Sequence, residues 1–70
     1  MLNVKKLKKE VRSTKTAKLV KYRLLYVQLA GELEINFEVD AEWRRKELEV
    51  LDACIKILDQ ELAQRDLRNV

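Results

Sequence analysis

Seventy residues with no proline and a single glycine, Gly31, leave little in this chain to interrupt a helix. Proline removes a backbone donor and clashes with the preceding turn. Glycine costs a helix interior about 1 kcal/mol relative to alanine. A chain so poor in breakers predicts long helices joined by few turns. The clearest helix spans 41–67. Asp40 is a suitable N-cap, Glu42 complements the positive end, and Leu48, Leu51, Ile55, Leu58 and Leu62 recur at helical spacing. Glu42 with Lys46 and Glu61 with Arg65 form well-ordered i,i+4 pairs on this helix.

Upstream, two readings compete. In the first, Leu19, Tyr22, Tyr26, Leu29 and Leu33 form a helical stripe with Lys18, Lys21, Gln28 and Glu32 opposite. That helix runs to about residue 35, fraying near Ser13-Thr14-Lys15-Thr16, and residues 36–40 turn the chain. Antiparallel pairing then sets Leu29 near Leu48, Tyr22 near Ile55 and Leu19 near Leu58. The fold class expected is all-α: a basic N-terminal arm (1–16) followed by a two-helix hairpin body (17–70). In the second reading, the alternation from Leu33 to Asp40 marks a strand, and Gly31-Glu32 supplies a type II′ turn. That gives a ββα unit, with a hairpin at 19–39 and the helix at 41–67. The strong helix formers in 17–30 favour the first reading.

A chain of this size buries only about 60% of its unfolded surface, so one core is marginal. One cysteine, Cys54, cannot form an internal disulfide, and the absence of histidine removes the common zinc sites. Self-association is the remaining supplement. The helices support it, because each has a second apolar face: Val20, Leu24, Val27 and Gly31 on one, Trp43, Val50, Cys54 and Ile57 on the other. A helix apolar on two sides is buried on two sides. A homodimer, most simply a four-helix bundle, is therefore expected, with Val20, Leu24, Val27, Trp43, Val50 and Ile57 at its interface. Gly31 would serve as a turn or as a point of close approach.

Charge is distributed unevenly. Residues 1–23 carry nine basic side chains and one acid, whereas residues 24–70 carry six basic and eleven acidic ones. Lys5, Lys6, Lys8, Lys9, Arg12 and Lys15 make a candidate anion-binding segment, for a nucleic-acid backbone or an acidic protein. Leu2, Val4, Leu7 and Val11 could make it a basic amphipathic helix for a protein groove or membrane surface. The bland alternative is a solvated segment balanced by Asp59, Glu61 and Asp66. Arg44, Arg45 and Lys46 sit at the helix end where cations are unfavourable, which marks a second candidate contact. Lysines outnumber arginines nine to six, so any nucleic-acid binding would be directed at the backbone more than at base edges.

Catalytic chemistry has little to draw on. Cys54 lacks a histidine to activate it and reads as a small buried hydrophobe. The carboxylates Glu32, Glu34, Glu38, Asp40, Glu42, Glu47 and Glu49 lie among bases on faces expected to be wet. No calcium-loop or phosphate-cradling glycine pattern occurs. Tyr22, Tyr26 and Trp43 are expected in the core rather than as stacking platforms. Neither a leader nor a transmembrane segment is expected: the apolar run Leu24–Ala30 is short and contains Gln28. With the lone cysteine, this suggests a cytoplasmic setting. The expectation is a cofactor-free, non-enzymatic regulator or inhibitor that binds itself and a larger protein. Binding to DNA or RNA is the alternative, and a membrane partner is not expected.

Overall fold

A computed structural model describes residues 3–68, and their side chains through Asp66. Every regular element among these residues is helical: α1 (Val4–Glu10) continues through a 3₁₀ turn at Val11–Ser13, α2 spans Thr16–Ile35, and α3 spans Ala41–Arg68. Leu2 lies outside the described residues.

Local chemistry accounts for each boundary. The Asn3 side chain accepts a hydrogen bond from the Lys6 backbone N–H (3.1 Å) and starts α1. The hydroxyls of Ser13 and Thr14 both donate to the Glu10 carbonyl, at 3.0 and 2.8 Å. Such side chains offer the backbone an alternative to the helical ladder. Thr14 and Lys15 adopt extended backbone angles, and the chain breaks there before α2 begins. The fraying expected at 13–16 is thus a defined corner.

At the far end of α2, the Asn36 side chain accepts from the Glu38 N–H at 3.2 Å, and the Asp40 carboxylate accepts from the Trp43 N–H at 3.2 Å. The Arg44 guanidinium donates to the Asn36 carbonyl (3.1 Å) and stacks 5.2 Å above the Phe37 ring. These contacts turn the chain between Ile35 and Ala41.

The ββα alternative is not supported. Residues 19–35 are helical, Gly31 sits inside α2 without a positive φ, and no strand occurs among the described residues. Seven alternating residues at 33–39 compete with a helical stripe running through α2, and the longer pattern prevails. Leu33 faces inward as the last turn of that stripe, while Ile35 and Phe37 are left 74% and 81% exposed. Gly31 is therefore not a turn residue.

Helices α2 and α3 lie antiparallel. Leu19 meets Leu58 in the core, the Arg23 guanidinium pairs with the Asp59 carboxylate, and Asn36 meets Arg44 beside the connection. The inner edge differs in detail from the expected stripe. Leu19 is fully buried and Tyr26, Ala30 and Leu33 are partly so, whereas Leu29 is exposed. Leu29 shares a groove with Trp43 and Leu51, and Leu48 lies with Ala30 and Glu34 on the opposite side. Tyr22 stacks on Tyr26, with ring centroids 6.4 Å apart, at the rim of the interior.

The basic N-terminal segment folds back on α3. Val11 joins Leu19 and Leu58 in the buried cluster, with Leu7, Tyr26, Ile57 and Leu62 packed against it. The apolar side of α1 is thereby occupied by the chain's own core.

Candidate interaction surfaces

Three surface regions carry the features singled out above. The first is the outer face of α2. A helix advances 100° per residue, so Val20, Leu24, Val27, Gly31 and Ile35 line one side, well away from Leu19, Tyr26 and Leu33. Val20, Leu24 and Val27 are exposed, Leu24 by 59% of its surface. Gly31 is equally open: a Cβ built there meets nothing within 4 Å.

The matching stripe on α3 is largely closed. Cys54 is completely buried, and Ile57 packs against the Val11–Leu19–Leu58 cluster of the same chain. The expectation that Ile57 lies on an outer face is corrected by the return of α1 over this part of α3. Val50 is partly buried. Trp43 remains half exposed at the mouth of a shallow groove of about 280 Å³, lined by Leu29, Leu33, Asn36, Glu47 and Leu51. This groove is the second region.

The third region is the basic segment. Lys5, Lys6, Lys8, Lys9, Arg12 and Lys15 are all exposed. Lys6 approaches Glu10 at 4.0 Å, a contact too exposed to neutralise much. Two of the three acids expected to balance these cations are engaged elsewhere: Asp59 pairs with Arg23, and Glu61 with Arg65 at 3.2 Å. Arg44, Arg45 and Lys46 are not brought into this region. Arg45 and Glu61 are separated by about 24 Å along α3 at 1.5 Å per residue, and α1 lies beside the Glu61 end. Two of those three cations also have local roles. Arg44 closes the turn, and Lys46 lies 3.7 Å from Glu42. The cation placed against the helix dipole is therefore explained by the turn it closes.

One residue escaped sequence reasoning. Arg65 was legible only as the i,i+4 partner of Glu61. It also donates to the Thr16 hydroxyl (2.8 Å), the Val11 carbonyl (3.0 Å) and the Thr14 carbonyl (2.7 Å). Its side chain is largely buried beside a buried Glu61 carboxylate. This fork satisfies two carbonyls freed at the corner between α1 and α2 and pins that corner to α3. Nothing in local spacing announces contacts that reach back across the chain in this way.

Burial raises the Cys54 thiol above its ordinary value. Burial does the same for the Tyr26 phenol, with smaller contributions from Cys54 and Tyr22. Both shifts favour the neutral form, so neither group is tuned as a nucleophile or base at neutral pH. Among the described residues no group of three or more Cys, Asp or Glu side chains is placed to hold a metal, and no helix is long and apolar enough to cross a membrane. Comparison with protein-family models, curated proteins and solved structures finds no match to this chain.

Proposed function

We propose that this chain is a small non-enzymatic interaction protein: a helical hairpin that pairs with a second copy and docks on a larger protein through its helical surface and basic segment. The observation that carries this reading is that α2 is apolar on two sides while only one is packed against α3. The accessible surface gives the same message. The chain exposes 5809 Å², against roughly 4,600 Å² for a folded monomer of its mass. The excess exceeds the roughly 800 Å² per partner that a standard interface buries. Homodimerisation accounts for the outer face of α2, and the Trp43 groove is left for the larger partner. A photocrosslinking side chain at Leu29 should capture a protein other than the chain itself, and Trp43→Ala should abolish that capture. Crosslinks to itself alone, unchanged by Trp43→Ala, would reject the larger partner.

Nucleic-acid binding is the second reading, favoured by the exposure of Lys5, Lys6, Lys8, Lys9, Arg12 and Lys15 on a folded platform. It predicts micromolar binding to duplex DNA or an RNA hairpin at about 50 mM salt. That binding should fall by two or more orders of magnitude at about 200 mM, the loss expected for about four or more phosphate contacts. Replacing Lys5, Lys6, Lys8 and Lys9 by glutamine should remove it. No binding at the lower salt rejects this reading.

A further inference from the structure

We infer that the outer face of α2 receives α2 of a second copy in one antiparallel register, with Leu24 of each chain seated over Gly31 of the other. The inference rests on the self-association proposed above and specifies its geometry.

The first argument is charge. Along α2 the cations Lys18, Lys21 and Arg23 occupy the first half, and Glu32 and Glu34 the second. Parallel pairing of two such helices would set like charges side by side, whereas antiparallel pairing opposes unlike ones. A two-fold axis near Val27 and Gln28 brings residues whose numbers sum to about 55 to the same level, which is simple counting along α2. Val20 then meets Ile35 of the other copy, Leu24 meets Gly31, and Val27 lies at the centre. Antiparallel two-fold pairing also brings the same flank of each helix together. Lys21 and Glu32 share one flank of the stripe, and Arg23 and Glu34 share the other. Lys21 therefore faces Glu32 across one edge, and Arg23, already against Asp59, faces Glu34 across the other. The apolar pairs share one centre, and the two charged pairs lie about 3 Å to either side of level at 1.5 Å per residue, within reach of their long side chains, so a single register serves both.

The second argument is Gly31. It lies in the interior of α2, where glycine costs helix stability, and nothing in its own chain requires it, because the space beyond its Cα is empty. An apposed Leu24 supplies the missing reason: a large side chain meets a position without one, and the two helices can approach closely there.

The test is a charge exchange measured by sedimentation equilibrium on the full chain. Lys21→Glu alone sets carboxylate against carboxylate at both symmetry-related contacts of its homodimer, and Glu32→Lys alone sets ammonium against ammonium. Each should weaken homodimerisation by about tenfold. Mixing the two variants restores opposite charges at both contacts and should give heterodimers near wild-type affinity. Both side chains are exposed on α2, so far-UV circular dichroism should be unchanged. Gly31→Ala provides an independent readout. It should strengthen the helix of the monomer yet weaken association severalfold, an opposition that a merely local effect cannot produce. A wild-type dimer indifferent to both charge changes would overturn this register while leaving self-association standing. A wild-type monomer at about 100 μM would overturn self-association itself, and the crosslinking at Leu29 would then judge the larger partner separately.

Discussion

The two ends of this molecule are built differently from the same pair of helices. Where α2 begins and α3 ends, α1 packs beside them: Val11, Leu19, Leu58 and Cys54 are buried, and Arg65 ties the corner of the chain to α3. At the connection between α2 and α3 there is no such cover. Leu29, Ile35, Phe37 and Trp43 are exposed there, and Leu51 is the buried residue nearest to them. Two packed helices bury one face of each, and a third element is needed to close a side. The chain supplies that element at one end only, so fully buried side chains concentrate at the covered end and exposed large apolar ones at the open end.

The largest test of this contrast is Arg65→Ala. It leaves the buried Glu61 carboxylate and the Thr14 carbonyl without their donor, and the Val11 carbonyl with only a 3.4 Å bond from the Thr14 N–H, and should cost about 4 kcal/mol in urea unfolding. Adding Glu61→Gln should recover part of the loss, since an amide needs no counter-charge. An Arg65→Ala protein as stable as wild type would remove the clasp from the account. Next in size, Leu58→Ala should cost about 3 kcal/mol, whereas Leu29→Ala should cost less than about 0.5 kcal/mol when unfolding is followed at low concentration. Equal losses at the two positions would erase the distinction between the ends.

A smaller effect is expected in alkali. The Cys54 thiol and the Tyr26 phenol both have raised pKa values in the folded chain. Unfolding lets them release their protons at lower pH, so the unfolded state binds fewer protons and stability falls as pH rises. Their contribution is complete well below pH 9, the ordinary value at which an unburied thiol is half ionised, and declines as pH rises through it. Guanidinium unfolding between about pH 8 and 11 should show this slope, and Cys54→Ala should flatten its lower part. The smallest effect belongs to Lys5, Lys6, Lys8 and Lys9. Their joint replacement by glutamine should shift stability by no more than a few tenths of a kcal/mol, toward greater stability, because like charges at i,i+4 are relieved.

Much of α3 was legible because period, cap and absence of breakers agreed: Asp40 caps it, and Leu51, Leu58 and Leu62 turn inward as their spacing requires. The end of α2 near residue 35 and the turn at 36–40 were legible for similar reasons. The return of α1 was not. Its apolar residues announce an amphipathic helix but cannot say whether a partner or the chain itself covers them. That answer depends on Arg65 reaching Val11 and Thr14, more than fifty residues upstream. The misplacement of Ile57 follows from the same gap. Arg44 is a different case. Its unfavourable position was visible, but its purpose lay in the Asn36 carbonyl and the Phe37 ring, groups that only the completed turn brings near.

The clasp also sets an order of events. Val11, Thr14 and Thr16 are made well before the guanidinium that holds them, which arrives with Arg65. At roughly 5–20 residues per second, several seconds separate the synthesis of α1 from that of its anchor. Through most of that interval the α3 residues that share its core cluster, Ile57, Leu58 and Leu62, are not yet made either.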